Sequence, residues 1–293
     1  MSDEPRGTSR RALIGGLAVA AGALVSPAVP AARPAPPAGR LKQSVCRWPY
    51  DHIPLPEFCR RAQQIGLAAI DLLQSDDWSV AQDAGLEVSL GYPSRREKFI
   101  ETGFNDPANH ALLIKELEIV LPRAARARVP NVIAMFGNRN PRIDDSAAVA
   151  NCISGFSKIA PLAAELGVTI CAELLNSKVD HAGYQGDHSA FGIAVMEGVN
   201  SPHVKLLYDI YHMQIMEGDV IRTIRDNIKW LGHFHTGGVP GRHEINESQE
   251  LNYHAIAMAL ADLRYAGYVA HEFVPTRTDP FASLAEAYKV CSV

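Results

Sequence analysis

Glu173, Asp209, His235 and Glu272 are the residues whose type and spacing could do chemistry together. Each lies near the end of an apolar, β-rich run: VTICAELL, VKLLYDIYH, KWLGHFHTGG and YVAHEFVP. A single acidic residue at such a point is often a helix cap or a loop ion pair. Four at equivalent points of successive strands suit one divalent metal ion. Three oxygen ligands and one nitrogen fit Mn²⁺, Mg²⁺, Co²⁺ or Zn²⁺ without selecting among them. Glu173 and Glu272 are flanked by apolar residues, and a carboxylate buried there is costly unless paired.

Two carboxylates beside a metal have a particular use. A divalent ion held by the carbonyl and hydroxyl oxygens of an α-hydroxycarbonyl compound acidifies the C–H between them. One glutamate removes that proton and the other delivers one, through a cis-enediolate. Return to the neighbouring carbon is an aldose–ketose isomerisation. Return to the opposite face of the same carbon is an epimerisation, and the residues themselves allow either. Nearby side chains read differently. His233 shares a strand face with His235 and reads as a hydrogen-bonded core histidine, whereas His271 should point outward toward the helices. His212, three residues after Asp209, can contact substrate or orient a ligand from behind. Trp48 and Tyr50 either cap a substrate or pack on their neighbours.

These residues need a scaffold that brings four strand ends together. From Leu41 onward, short apolar runs alternate with helical periodicities. Strands are expected at 41–46, 68–73, 86–93 and 130–138, followed by the four runs named above. Helices are expected at 56–66, 107–128, 144–167, 188–198, 219–227, 252–266 and 281–291. Pro122 should kink the second of these, and Asp144 or Asp145 caps the third. The first strand is followed by CRWPYDHIP, without the glycines of a dinucleotide-binding loop. The pattern predicts an α/β fold, a single-domain (β/α)8 TIM barrel, whose chemistry lies at the C-terminal ends of its strands.

The first forty residues of the 293 differ from the rest. Ser9-Arg10-Arg11 precedes an apolar Ala/Gly-rich run, and small residues follow at Val29-Pro30-Ala31. This order predicts an export signal peptide of the twin-arginine type over 1–31, a Pro/Ala-rich linker over 32–40 and the barrel over 41–293. The protein is then periplasmic or extracellular. The apolar run is shorter than the ~20 residues of a transmembrane helix, so no stable membrane span is expected. A net charge of −4 gives no electrostatic case for nucleic acid. Five scattered cysteines without a CxxC pair argue against a complete disulfide framework. A homo-oligomer is compatible with the sequence, which does not specify one.

From about Leu41 to the C-terminus the chain resembles the xylose isomerase-like TIM barrel superfamily, and within it the hydroxypyruvate isomerases. FNDPANH, VTICAELLNS and YDIYHMQIMEGD carry the resemblance, and GHFHTGGVPGRHEINESQELNY is its most specific part. The resemblance implies that Glu173 and Glu272 are the metal-binding acid/base pair, that Asp209 and His235 complete the metal ligands, and that His212 and Arg242 contact substrate. His243 and Glu244 are weaker candidates, in a loop that can instead serve assembly or act as a lid. His235 departs from the glutamine frequent in hydroxypyruvate isomerases and matches the histidine of ketose 3-epimerases. The leading expectation is a hydroxypyruvate isomerase-like enzyme acting on a small hydroxycarbonyl or sugar substrate. A ketose 3-epimerase, a lyase or dehydratase of keto-inositols or keto-glycosides, and a non-catalytic sugar-binding barrel remain alternatives. A DNA-repair nuclease of related fold would need a basic face and a histidine-rich zinc cluster.

Overall fold

A computed structural model describes residues 40–293; the expected signal peptide and all of the linker before Arg40 lie outside the described residues. Eight parallel strands form one sheet: β1 (Lys42–Cys46), β2 (Ala69–Asp71), β3 (Glu87–Val88), β4 (Asn131–Met135), β5 (Thr169–Leu174), β6 (Val204–Asp209), β7 (Leu231–Thr236) and β8 (Tyr268–His271). Their order is β3-β2-β1-β8-β7-β6-β5-β4, so first and last strands are neighbours. The remaining gap is closed through Gly91: its N–H donates to Asn131 O at 2.9 Å, and its carbonyl accepts from Ile133 N at 3.0 Å. The result is the expected TIM barrel.

The strands are almost wholly buried, as continuous apolar runs covered on both faces should be. The third strand is far shorter than the expected 86–93. Trp78 lies so close to Gly91 that a Cβ there would come within 2.6 Å of its ring. Beyond Val88 the pairing continues as isolated bridges of Gly91, to Leu73 and to Val132.

The helices are α1 (Leu55–Ile65), α2 (Trp78–Asp83), α3 (His110–Ala127), α4 (Asp145–Leu166), α5 (Ser189–Val199), α6 (Ile210–Met216), α7 (Val220–Asn227), α8 (Tyr253–Asp262) and α9 (Pro280–Val290). Asp144 is the cap of α4, accepting from Ala147 N at 2.8 Å, a contact of about 1 kcal/mol. α3 runs through Pro122 as one element. Of the described helices, α4 alone is long and apolar enough to cross a membrane. Its Ala148, Cys152, Phe156, Ile159 and Ala163 are buried in the core, as in an ordinary barrel helix. All five cysteines are free and buried. The two helices not anticipated, α2 and α6, are short, and α6 begins directly at a candidate ligand.

Candidate metal and proton-transfer site

The ladder sets the level of each candidate. Met135 pairs with Glu173, Glu173 with Leu207, Asp209 with His235, and His235 with Ala270. Glu272 lies just past β8, its N–H donating to Thr236 O at 2.9 Å. Period-two alternation turns Glu173, Asp209, His235 and Glu272 into the barrel. One donor atom from each falls within 4.8 Å of all the others. His235 Nδ1 is 2.9 Å from Glu272 Oε2, 3.3 Å from Glu173 Oε1 and 4.0 Å from Asp209 Oδ2.

Asp209 has two uses at once. Its Oδ1 caps α6, accepting from Tyr211 N at 2.8 Å and His212 N at 3.2 Å. Its Oδ2 is buried without a hydrogen bond, an expensive state for a carboxylate oxygen. A divalent cation among the four donors would satisfy that oxygen and offset the crowding of three carboxylates. The residues therefore fit such an ion, which Glu173, Asp209, His235 and Glu272 would hold.

The two glutamates differ in surroundings. Burial, reinforced by the charge of Glu272, raises Glu173 above the usual carboxylate range. Burial would raise Glu272 as well, but His235 and Arg242 outweigh it and hold that carboxyl well below the range. Trp48 Nε1–H donates to Glu272 Oε1 at 2.7 Å, and Arg242 Nη2 donates to Oε2 at 2.8 Å. The Arg242 guanidinium is sandwiched between the rings of Trp48 and Tyr211, at 5.1 and 5.3 Å.

The loop after β7 delivers Arg242. A Cβ at Gly238 would lie 2.3 Å from Glu244 O, so only glycine allows this fold-back. Glu244 accepts from Thr276 N and Ser283 Oγ, both at 2.7 Å, and His243 Nδ1 lies 3.0 Å from Val274 O. His243 and Glu244 thus tie the Arg242 loop to the segment after β8.

A cavity of about 270 Å³ opens onto this cluster. Glu173, Glu272, Arg242 and His181 supply its polar side, while Tyr92, Phe99 and Ile100 belong to an apolar wall. His212 is fully buried and lies behind Asp209, its Nε2 3.6 Å from Oδ2 and its Nδ1 2.6 Å from Asn176 Nδ2. Tyr50 turns away to pack on Phe58 and Phe281. His271 faces Thr236 and Gln43, outside the cluster.

Sequence reasoning missed Asp71 and His181. Asp71 ends β2 with no solvent exposure, its Oδ1 3.1 Å from His235 Nε2. The run AAIDLL carried the same signal as the strand of Glu173, an acid among apolar residues. His181 sits in a loop with no such pattern.

A model of the xylose isomerase-like TIM barrel matches residues 57–290. The chain belongs to this family. Within it, the chain is 28% identical over 246 residues to a Mus musculus protein provisionally named hydroxypyruvate isomerase, covering 78% of this chain and 87% of that one. It is 36% identical over 142 residues to the D-psicose 3-epimerase of Agrobacterium fabrum, covering 46% of this chain and 45% of the epimerase, so that the match spans under half of that relative. Among solved structures, the family 2 AP endonuclease of Brucella melitensis superposes with a TM-score of 0.74 at 25% identity, covering 84% of this chain and 98% of that one.

Proposed function

We propose that the protein is a metal-dependent isomerase of small α-hydroxycarbonyl compounds, hydroxypyruvate isomerase-like and of the aldose–ketose type. The observation that carries the reading is the placement of Glu173 and Glu272 at 3.3 and 2.9 Å from His235 Nδ1, beside one cavity. A divalent ion held there would polarise the substrate carbonyl and acidify the adjacent C–H.

The chain's own residues divide the rest. Glu272, paired with Arg242, takes the proton from carbon. Glu173, at the same cavity, delivers a proton to the neighbouring carbon of the enediolate. Trp48 and Arg242 fix both oxygens of Glu272, so its geometry is set before substrate arrives. The uncommitted donors of Arg242 face a substrate hydroxyl or carboxylate at the cavity wall. His212 positions Asp209 from behind. The Ser9-Arg10-Arg11 pattern and the apolar run after it support a reading in which this activity is exported.

His235 favours a second reading, a ketose 3-epimerase, which the same glutamates would serve. Product analysis separates the two. Protein supplied with Mn²⁺, Mg²⁺, Co²⁺ or Zn²⁺ is offered hydroxypyruvate and a panel of free ketoses. Interconversion of hydroxypyruvate with its aldehyde isomer supports the first reading. Inversion at carbon 3 of a ketose, with hydroxypyruvate untouched, replaces it with the second.

A further inference from the structure

Below the four candidate ligands lies a second, wholly buried polar layer. Asp71, Ser89, His233 and Cys46 have no solvent exposure. Asp71 Oδ1 is 3.1 Å from His235 Nε2 and 3.6 Å from Cys46 Sγ. Asp71 Oδ2 accepts from Ser89 Oγ and lies 2.9 Å from His233 Nε2. That last contact lacks the alignment of a hydrogen bond.

The interior of a TIM barrel is normally filled by branched apolar side chains. An aspartate there must be retained against its desolvation cost. Among the described residues no lysine or arginine pairs with it; its salt-bridge-distance neighbours are the two histidines of β7. The contact with His235 is the aligned one, and it engages the ring nitrogen turned away from Glu173, Asp209 and Glu272. An imidazole held at one nitrogen by a carboxylate presents the other in a fixed direction, which is how metal-ligating histidines are commonly oriented.

From this geometry we infer that Asp71 is a positioning residue of the metal centre. It accepts the Nε2–H of His235 and so fixes Nδ1 as the ring atom facing the cation, while Ser89 and His233 hold Asp71 in place. The inference rests on the metal-dependent reading above.

Two measurements test it. The first is calorimetric titration of metal-free parent and Asp71→Ala with Zn²⁺ and with Mn²⁺. Affinity should fall roughly 10- to 100-fold in the variant. A variant that binds within twofold of the parent overturns the inference and leaves the metal-dependent reading intact. A parent that binds neither ion overturns that reading, and this inference with it. The second needs no variant, and it decides the matter if Asp71→Ala does not fold. In zinc-loaded parent labelled with ¹⁵N-histidine, His235 should be coordinated through Nδ1, with an Nε2–H protected from solvent exchange. Coordination through Nε2, or an Nε2–H in free exchange, overturns the inference.

Discussion

Trp48, just after the first strand, donates from Nε1 to Oε1 of Glu272, just after the last, at 2.7 Å. Closure of the barrel between β1 and β8 makes this contact possible across 224 residues of sequence. It turns an aromatic of the first loop into part of the proposed proton-transfer machinery. Hydrogen bonds to charged groups are worth about 1.5–3 kcal/mol. Trp48→Phe keeps a ring beside Arg242 but removes the donor. It should lower kcat by roughly 10- to 100-fold if the bond acts fully in the transition state, measured by steady-state kinetics on the substrate found in the product screen.

Glu244 lies one side chain beyond the chemistry. Its bonds to Thr276 and Ser283 hold down the loop that presents Arg242. Glu244→Ala should cost about 1–3 kcal/mol of stability through the lost charged hydrogen bonds, read from denaturant unfolding. Its kinetic effect should fall on KM and kcat together, because Arg242 would be displaced both from substrate and from Oε2 of Glu272. A fall in kcat at constant KM would assign Glu244 a different role.

The barrel, seven of the nine described helices and the four candidate ligands were legible because each rests on a local pattern. Alternating β and α periodicities gave the fold, and an acid or histidine at the end of an apolar run gave Glu173, Asp209, His235 and Glu272. Other features depend on distances between chain segments. The direction of Trp48 and the pairing of Asp71 with His235 link β1 to β8 and β2 to β7, for which a single sequence holds no signal. An acid at a strand end can be a helix cap or a ligand, and the two oxygens of Asp209 allow both. The third strand is shorter than its periodicity predicts: past Val88 its pairing is carried by bridges of Gly91 to Leu73 and Val132.

His271 gives a pH dependence distinct from the site. Burial lowers it from 6.5 to about 3, so it stays neutral in the fold. Once unfolded, it takes up a proton below its ordinary value of 6.5. The unfolded state therefore binds more protons between these two values, and stability should decline as pH falls through that window, by up to about 1.4 kcal/mol per pH unit from this group. His271→Gln should flatten the decline in urea unfolding followed between pH 6.5 and 4. An unchanged slope would show that His271 does not contribute it.

Removal of the proposed metal should be visible in stability as well as activity. A ligand bound only by the folded state at 100 times its Kd adds about 2.7 kcal/mol. Dialysis against a chelator should therefore lower Tm and abolish turnover, and restoring Mn²⁺, Mg²⁺, Co²⁺ or Zn²⁺ should recover both. Full turnover after complete chelation would contradict the assignment of the four ligands.

Proton transfer by the two glutamates is tested most directly by solvent deuterium. Metal-loaded protein in D₂O, incubated with hydroxypyruvate and with free ketoses, should introduce deuterium at the carbon next to the carbonyl of the compound it accepts. Glu173→Gln should slow that incorporation roughly 100- to 10,000-fold, the usual range for loss of a general acid or base. If no compound offered to the metal-loaded parent acquires deuterium, or if Glu173→Gln exchanges as fast as the parent, the proposed role of these residues is wrong.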